Sequence, residues 1–198
     1  TFAADPSWAP KLVAVMDQPE PSAVLATLRG GSEARTFVAS RDGQVRIYQV
    51  GGLATPAAVA PAEIKVVGVV QVGRNPVCLA YDKNRASTVI VVSRGDREIS
   101  WIRYGANGGQ VVQRLRDARL KDPVFAEVAD THGVETALLT VADFKGRQIL
   151  NYRYGPVVFA TQGGARFGMG EDGTAEFECG GVMRFPGWPF CVSATNVN

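Results

Sequence analysis

The chain has 198 residues, 46% of them hydrophobic and 20% charged, which suits one ordinary domain or two small ones and does not suit a disordered chain. Net charge is only +2, and the lysines and arginines form no basic tract or stripe, so charge gives no support for a nucleic-acid partner. No run approaches the roughly 18 apolar residues of a spanning helix, so no membrane span is expected.

Taken in chain order, the opening TFAADPSWAP has neither a basic n-region nor an apolar h-region, so no signal peptide is expected in it. KLVAVMD (11–17) reads as a first strand, and PSAVLATL after Pro21 as a second. RTFVAS (35–40) and VRIYQV (45–50) form a hairpin over Asp42-Gly43. EIKVVGVVQV (63–72) is again a strand, followed by PVCLAYD after Pro76. The hairpin STVIVVS (87–93) to EISWIRY (98–104) turns on Gly95-Asp96, and VVQRLR (111–116) follows it. PVFAEVAD after Pro123 then leads to the hairpin TALLTVA (136–142) to QILNYRY (148–154), turning on Lys145-Gly146. These turn residues suit the positive φ of tight turns. Helix signals are almost absent.

The hairpins repeat one another. SRGDREISWIRYG and DFKGRQILNYRYG align without a gap, fifty residues apart, sharing Arg97/Arg147, Ile99/Ile149, Arg103/Arg153, Tyr104/Tyr154 and Gly105/Gly155. A looser copy runs from Ser40 to Gly51. A repeat spacing of 47–55 residues, measured from Pro21 to Pro76 to Pro123, with about four strands per unit, predicts an all-β chain of β-propeller blades. One four-stranded sheet has two apolar faces, and stacking between neighbours buries both. Ile99 and Ile149 are expected between blades, with Tyr104/Tyr154 and Gly105/Gly155 ending a strand before the linker to the next blade. The expected blades are 11–62, 63–110 and 111–160, with 155–181 an inserted loop and 182–198 the start of a further blade whose proline is Pro189. Three blades and a fraction do not close a ring of four to eight, so an incomplete ring is expected. The remainder of the propeller, from a longer polypeptide or from a second protein chain, is then the expected partner.

The stretch NPVCLAYDKNRASTVIVVSRGDREISWIRY (75–104) carries a proline entry strand followed by a strand-hairpin unit, and it resembles the YVTN/lactonase-like branch of bacterial β-propellers. No WD dipeptide or kelch double glycine stands at the matching positions. The resemblance, with a candidate disulfide, implies a periplasmic or extracellular setting. It also implies an alternative function, a lactonase-like hydrolase or dehydrogenase-subunit propeller with a divalent metal or redox cofactor on the central axis.

Motifs that suggest chemistry are each better explained by structure. Gly168-Met169-Gly170-Glu171-Asp172-Gly173 satisfies G-x-G-x-x-G, but no βαβ unit surrounds it and its two acids would repel a pyrophosphate. Glu171 and Asp172, with Glu176, are the carboxylates that would serve a Ca²⁺ ion, yet the EF-hand spacing is absent and a solvated acidic turn is the simpler reading. His132 is the only histidine and has no G-x-S-x-G partner, so no catalytic residue is expected. Arg94-Gly95-Asp96 spells the integrin tripeptide at an accessible hairpin tip, where turn chemistry already explains it. Trp101, Tyr104, Tyr152 and Tyr154 interleave with Arg97, Arg103, Arg147 and Arg153, as packing between blades with arginine rims requires.

Three cysteines without a C-x-x-C exclude a zinc ribbon. Cys78 reads as a small core residue. Cys179 and Cys191 could close a short loop worth ~3 kcal/mol or stay as two thiols; both readings are open. The inner stretches VLATL, VCLAY, VFAEV and FCVSA are apolar except for Glu127, where an axial metal site would need converging carboxylates. The expected function is therefore a non-catalytic scaffold using blade loops for protein–protein interaction, with no cofactor.

Overall fold

The structure is a computed structural model that describes residues 15, 17–28, 34–50, 64–129, 137–154 and 177–193. The first sheet is an antiparallel meander of β1 (Pro21–Leu28), β2 (Ala34–Ser40), β3 (Gln44–Val50) and β4 (Ile64–Gln71). The second repeats it with β5 (Pro76–Tyr81), β6 (Thr88–Ser93), β7 (Glu98–Gly105) and β8 (Gly108–Arg116). The third consists of β9 (Pro123–Ala129), β10 (Ala137–Asp143), β11 (Gln148–Tyr154) and β12 (Phe177–Arg184). The sheets stack in sequence, first strand on first strand (β1 against β5, β5 against β9), with β4 against β8 at the outer edge. Consecutive four-stranded meanders packed face to face in this way are the blades of a β-propeller.

Period-two alternation sends successive side chains to opposite neighbours. From the second sheet, Leu79, Val89, Val91 and Ile102 pack with Phe37, Ala39, Val45, Ile47 and Val70 of the first. Its opposite face sends Cys78, Ile90, Val92, Ile99, Trp101 and Leu115 against Ala126, Val128, Leu139, Val141, Leu150 and Tyr152 of the third. Because β6 is covered on both sides, all six of its residues are buried, and TVIVVS reads as a continuous apolar run. Ile99 thus lies between sheets as expected. Tyr104 stands edge-on to Phe37, ring centroids 4.8 Å apart, at the first interface.

The division into sheets differs from the expected one. Residues 64–71 pair with β3 and residues 108–116 with β7, so each closes the sheet before it. The reason for β8 is local: Ala106-Asn107 form a two-residue turn between Gly105 and Gly108, and a hairpin that short forces pairing with the preceding strand. Gly105 therefore ends β7 within its own sheet and does not open a linker to the next. The sheets span 21–71, 76–116 and 123–184. Of the expected insertion, 155–176 lie outside the described residues, and 177–181 belong with 182–184 to β12. Pro189 to Ser193 carry no strand, and of KLVAVMD only Val15 and Asp17 are described.

Where β4 passes β8, a Cβ on Gly68 would stand 2.7 Å from the Gly108 Cα, so the outer edges meet backbone to backbone. Among the described residues no helix is long and apolar enough to cross a membrane.

Candidate interaction rim

Three hairpin tips (41–43, 94–97 and 144–147) and the linkers entering each new sheet gather at one end of the stack. Backbone hydrogen bonds join them: Arg41 N donates to Glu20 O, Asn75 N to Arg41 O, Arg94 N to Asn75 O and Gly95 N to Arg74 O. On the third sheet Phe144 N donates to Asp122 O, and Phe185 N to Arg147 O. Each tip is thus held by a linker, and the Arg94 side chain, paired with Asp122, joins the second tip to the third linker.

The tips obtain their left-handed residue in different ways. In the first it is Gly43, φ 90°. In the other two it is Arg97, φ 52°, and Arg147, φ 51°, so Gly95 and Gly146 do not supply the positive φ expected of them. Those glycines are needed for space: a Cβ on Gly95 would lie 2.8 Å from Arg74 O, and one on Gly146 would collide with the Asp143 carboxylate. The shared arginines of the repeat thus occupy a strained backbone position. Arg97→Gly is expected to stabilise the fold by about 0.5–1 kcal/mol, the left-handed penalty less the entropy glycine loses on folding. A rise in thermal midpoint checks this. Arg147→Gly should gain less, because the Arg147 guanidinium sits 5.1 Å from the Trp188 ring centroid and that contact would go.

Carboxylates of the second and third sheets at the rim are held by neighbours. Asp96 accepts from Arg74 N at 2.7 Å and Arg74 Nε at 2.8 Å. Asp122 holds Arg94 through two bonds, one to Nη2 at 2.7 Å. Arg94-Gly95-Asp96 is therefore an inter-blade latch, both charges engaged, and not the accessible tripeptide its tip position suggested. Asp143, buried, accepts from Lys121 N at 3.0 Å, Asp122 N at 2.6 Å and Gln148 Nε2 at 2.8 Å. Asp117 chelates Arg119, and Glu98, fully buried, takes Arg114, Arg116 Nε at 2.7 Å and Ser100 Oγ at 2.7 Å.

The side-chain hydrogen bond from Arg74, ahead of the backbone one, holds the Asp96 carboxyl below its ordinary value, and that from Arg119 does the same for Asp117. A depressed folded value means these pairs contribute their full stability above the unfolded pKa of 3.8 and lose it as pH falls through the lower folded value. Both pairs are partly solvated, so the contribution is modest. The expected result is a small acid limb below pH ~4, flattened in Asp96→Asn and Asp117→Asn, read from urea midpoints across a pH series.

The described residues singled out from sequence do not converge. Glu127 pairs with Lys83 at 3.1 Å, bridging the third sheet to the 82–87 loop of the second. Cys78 is a core thiol whose Sγ donates to Ala126 O at 3.8 Å, and burial pushes its pKa up. Cys191 is exposed; the Cys179 side chain, like Glu171, Asp172, Glu176, His132 and Asp130, lies outside the described residues. Among the described residues no group of three or more His, Cys, Asp or Glu could hold a metal ion. The rim itself escaped the sequence reading. Arg94 on a tip with Asp122 on a linker, and Arg74 on a linker with Asp96 on a tip, share no spacing that the sequence would show.

No family model matches the chain, and no curated protein does. Thirty-one solved chains match. Two are crystal structures of BBS1N in complex with ARL6DN. The one soaked with lead has a TM-score of 0.48 and 17% identity over 70% of this chain and 38% of its own. The one soaked with mercury has 0.47 and 16% over 69% and 38%. The chain therefore spans about two fifths of the length of these structures.

Proposed function

We propose that the chain is a non-catalytic propeller scaffold, part of a larger propeller or multi-chain assembly, that engages other proteins through its blade loops. The observation that carries this reading is a mismatch between positions in equal register. Val24, Leu79 and Ala126 pair with Val38, Val91 and Val141 at the same point of their sheets. Leu79 is 9% exposed and Ala126 0%, each covered by the preceding sheet, whereas Val24 is 66% exposed. On the opposite flank Met183 holds the place of Leu115 and is 48% exposed against 5%. Val66 and Val69 extend the first open face. Val38 and Tyr48 on the first flank and Ala142 and Ile149 on the other are already buried, so it is the marginal aliphatic positions of each flank that a further blade would cover.

Sedimentation of the purified chain, with dye binding to exposed apolar surface, tests the proposal. Self-association or strong dye binding is expected. A monodisperse monomer of 21.1 kDa that binds no dye overturns the open-flank reading. Metal analysis of the same sample separates the scaffold from a divalent-metal hydrolase, since the scaffold needs no stoichiometric metal. The resemblance to YVTN/lactonase-like repeats supports a periplasmic or extracellular setting, which fractionation of expressing cells would test.

A further inference from the structure

We propose that the sector of the rim carried by the second and third sheets is a docking surface for an acidic segment of a partner protein. This rests on the scaffold reading and names its surface and the chemistry of its partner.

The first observation is the one-sided use of charge. Glu98, Asp122 and Asp143 are buried and Asp96 and Asp117 half-buried, each held by an arginine or by backbone and amide N–H groups. Arg97, Lys121, Lys145 and Arg184 are exposed at the same end, and none makes an ion pair with a described residue. The acids thus brace the rim while the outward field is positive. On the first sheet the balance is different, because Asp17, Glu20 and Asp42 are exposed there, so the excess is confined to one sector. A sector of one sign steers and registers a partner of the other.

The second observation is independent of charge. Trp188, 59% exposed, stacks on Phe144 with centroids 6.1 Å apart and carries the Arg147 guanidinium over its ring. Phe185 and Phe190 are exposed beside it in sequence. An exposed tryptophan backed by an arginine is the composition of an interface anchor. Its ligand would be a glutamate- or aspartate-rich segment carrying an apolar side chain. Phe185, Trp188 and Phe190 could also stack single-stranded bases, so oligo-dT is the competing ligand in the test.

The test is fluorescence anisotropy with two labelled peptides, poly-glutamate and poly-glutamate carrying one leucine, with oligo-dT and poly-lysine as comparisons. Both acidic peptides should bind and weaken as salt rises. Lys121→Glu with Lys145→Glu should lower their affinity about tenfold, summing two exposed charge pairs. Trp188→Ala should weaken only the leucine-bearing peptide. All these side chains are exposed, so thermal midpoints should be unchanged; if the reversals unfold, Lys121→Met with Lys145→Met replaces them. Absence of peptide binding, binding indifferent to the charge variants, or tighter binding of oligo-dT overturns the proposal. Sedimentation of the same samples reads the open flanks separately. Lost peptide binding with flank association intact therefore removes this inference alone.

Discussion

Replacing Arg114 and Arg116 together by alanine is expected to cost about 3–5 kcal/mol, far more than either arginine's exposed position suggests. The reason lies in Glu98. Its side chain is 0% exposed, while those of Arg114 and Arg116 are 40% and 70% exposed. Removing the arginines strands a buried anion with Ser100 Oγ as its remaining side-chain donor among these contacts. Removing the anion instead leaves two cations that water can reach. Glu98→Gln keeps the shape and the Ser100 bond, and its expected cost is about 1.5–3 kcal/mol, that of a lost charge-assisted bond. Urea unfolding at constant m-value distinguishes the two. Equal costs would mean that Glu98 is wetted in solution and that the buried network is not what holds β7 to β8.

Trp101→Ala carries the other large effect, about 3–5 kcal/mol. Trp101 is the bulkiest fully buried side chain among the described residues and lies in the cluster joining the second sheet to the third. In a stack of repeats, stability is a sum of each sheet's own term and the terms at its interfaces. A cavity at one interface therefore does two things. It lowers the overall midpoint, and it uncouples the third sheet from the other two, so the transition should broaden as well as shift. Trp188→Ala, exposed at the rim, should move the midpoint by less than about 0.5 kcal/mol. Near-UV circular dichroism, dominated by the packed indole, follows the same contrast. A Trp101→Ala protein that unfolds as sharply as the parent would show that the interface is not the coupling element.

The resemblance between the hairpins and their strand content were legible because both are local. Alternation in RTFVAS, STVIVVS and TALLTVA specifies strands whatever they pack against. The placement of the candidate site was not legible. Arg94, Gly95 and Asp96 are contiguous and read as a motif, yet their partners Asp122 and Arg74 lie 28 and 22 residues away. Nor did Gly95 and Gly146 reveal that their role is clearance, because the atoms they clear, such as Arg74 O, arrive from other segments.

By itself the sequence determined an all-β chain, its hairpins, its near-fifty-residue repeat and the aliphatic positions that would lie between sheets. These follow from side-chain period and turn chemistry, which act over a few residues. Only the tertiary structure decided which sheet receives 64–71 and 108–116, that Glu98 and Asp143 are buried, and that Val24 and Met183 are left uncovered. Those outcomes depend on which surface meets which. A strand edge or an apolar face is the same in sequence whether or not a neighbour covers it.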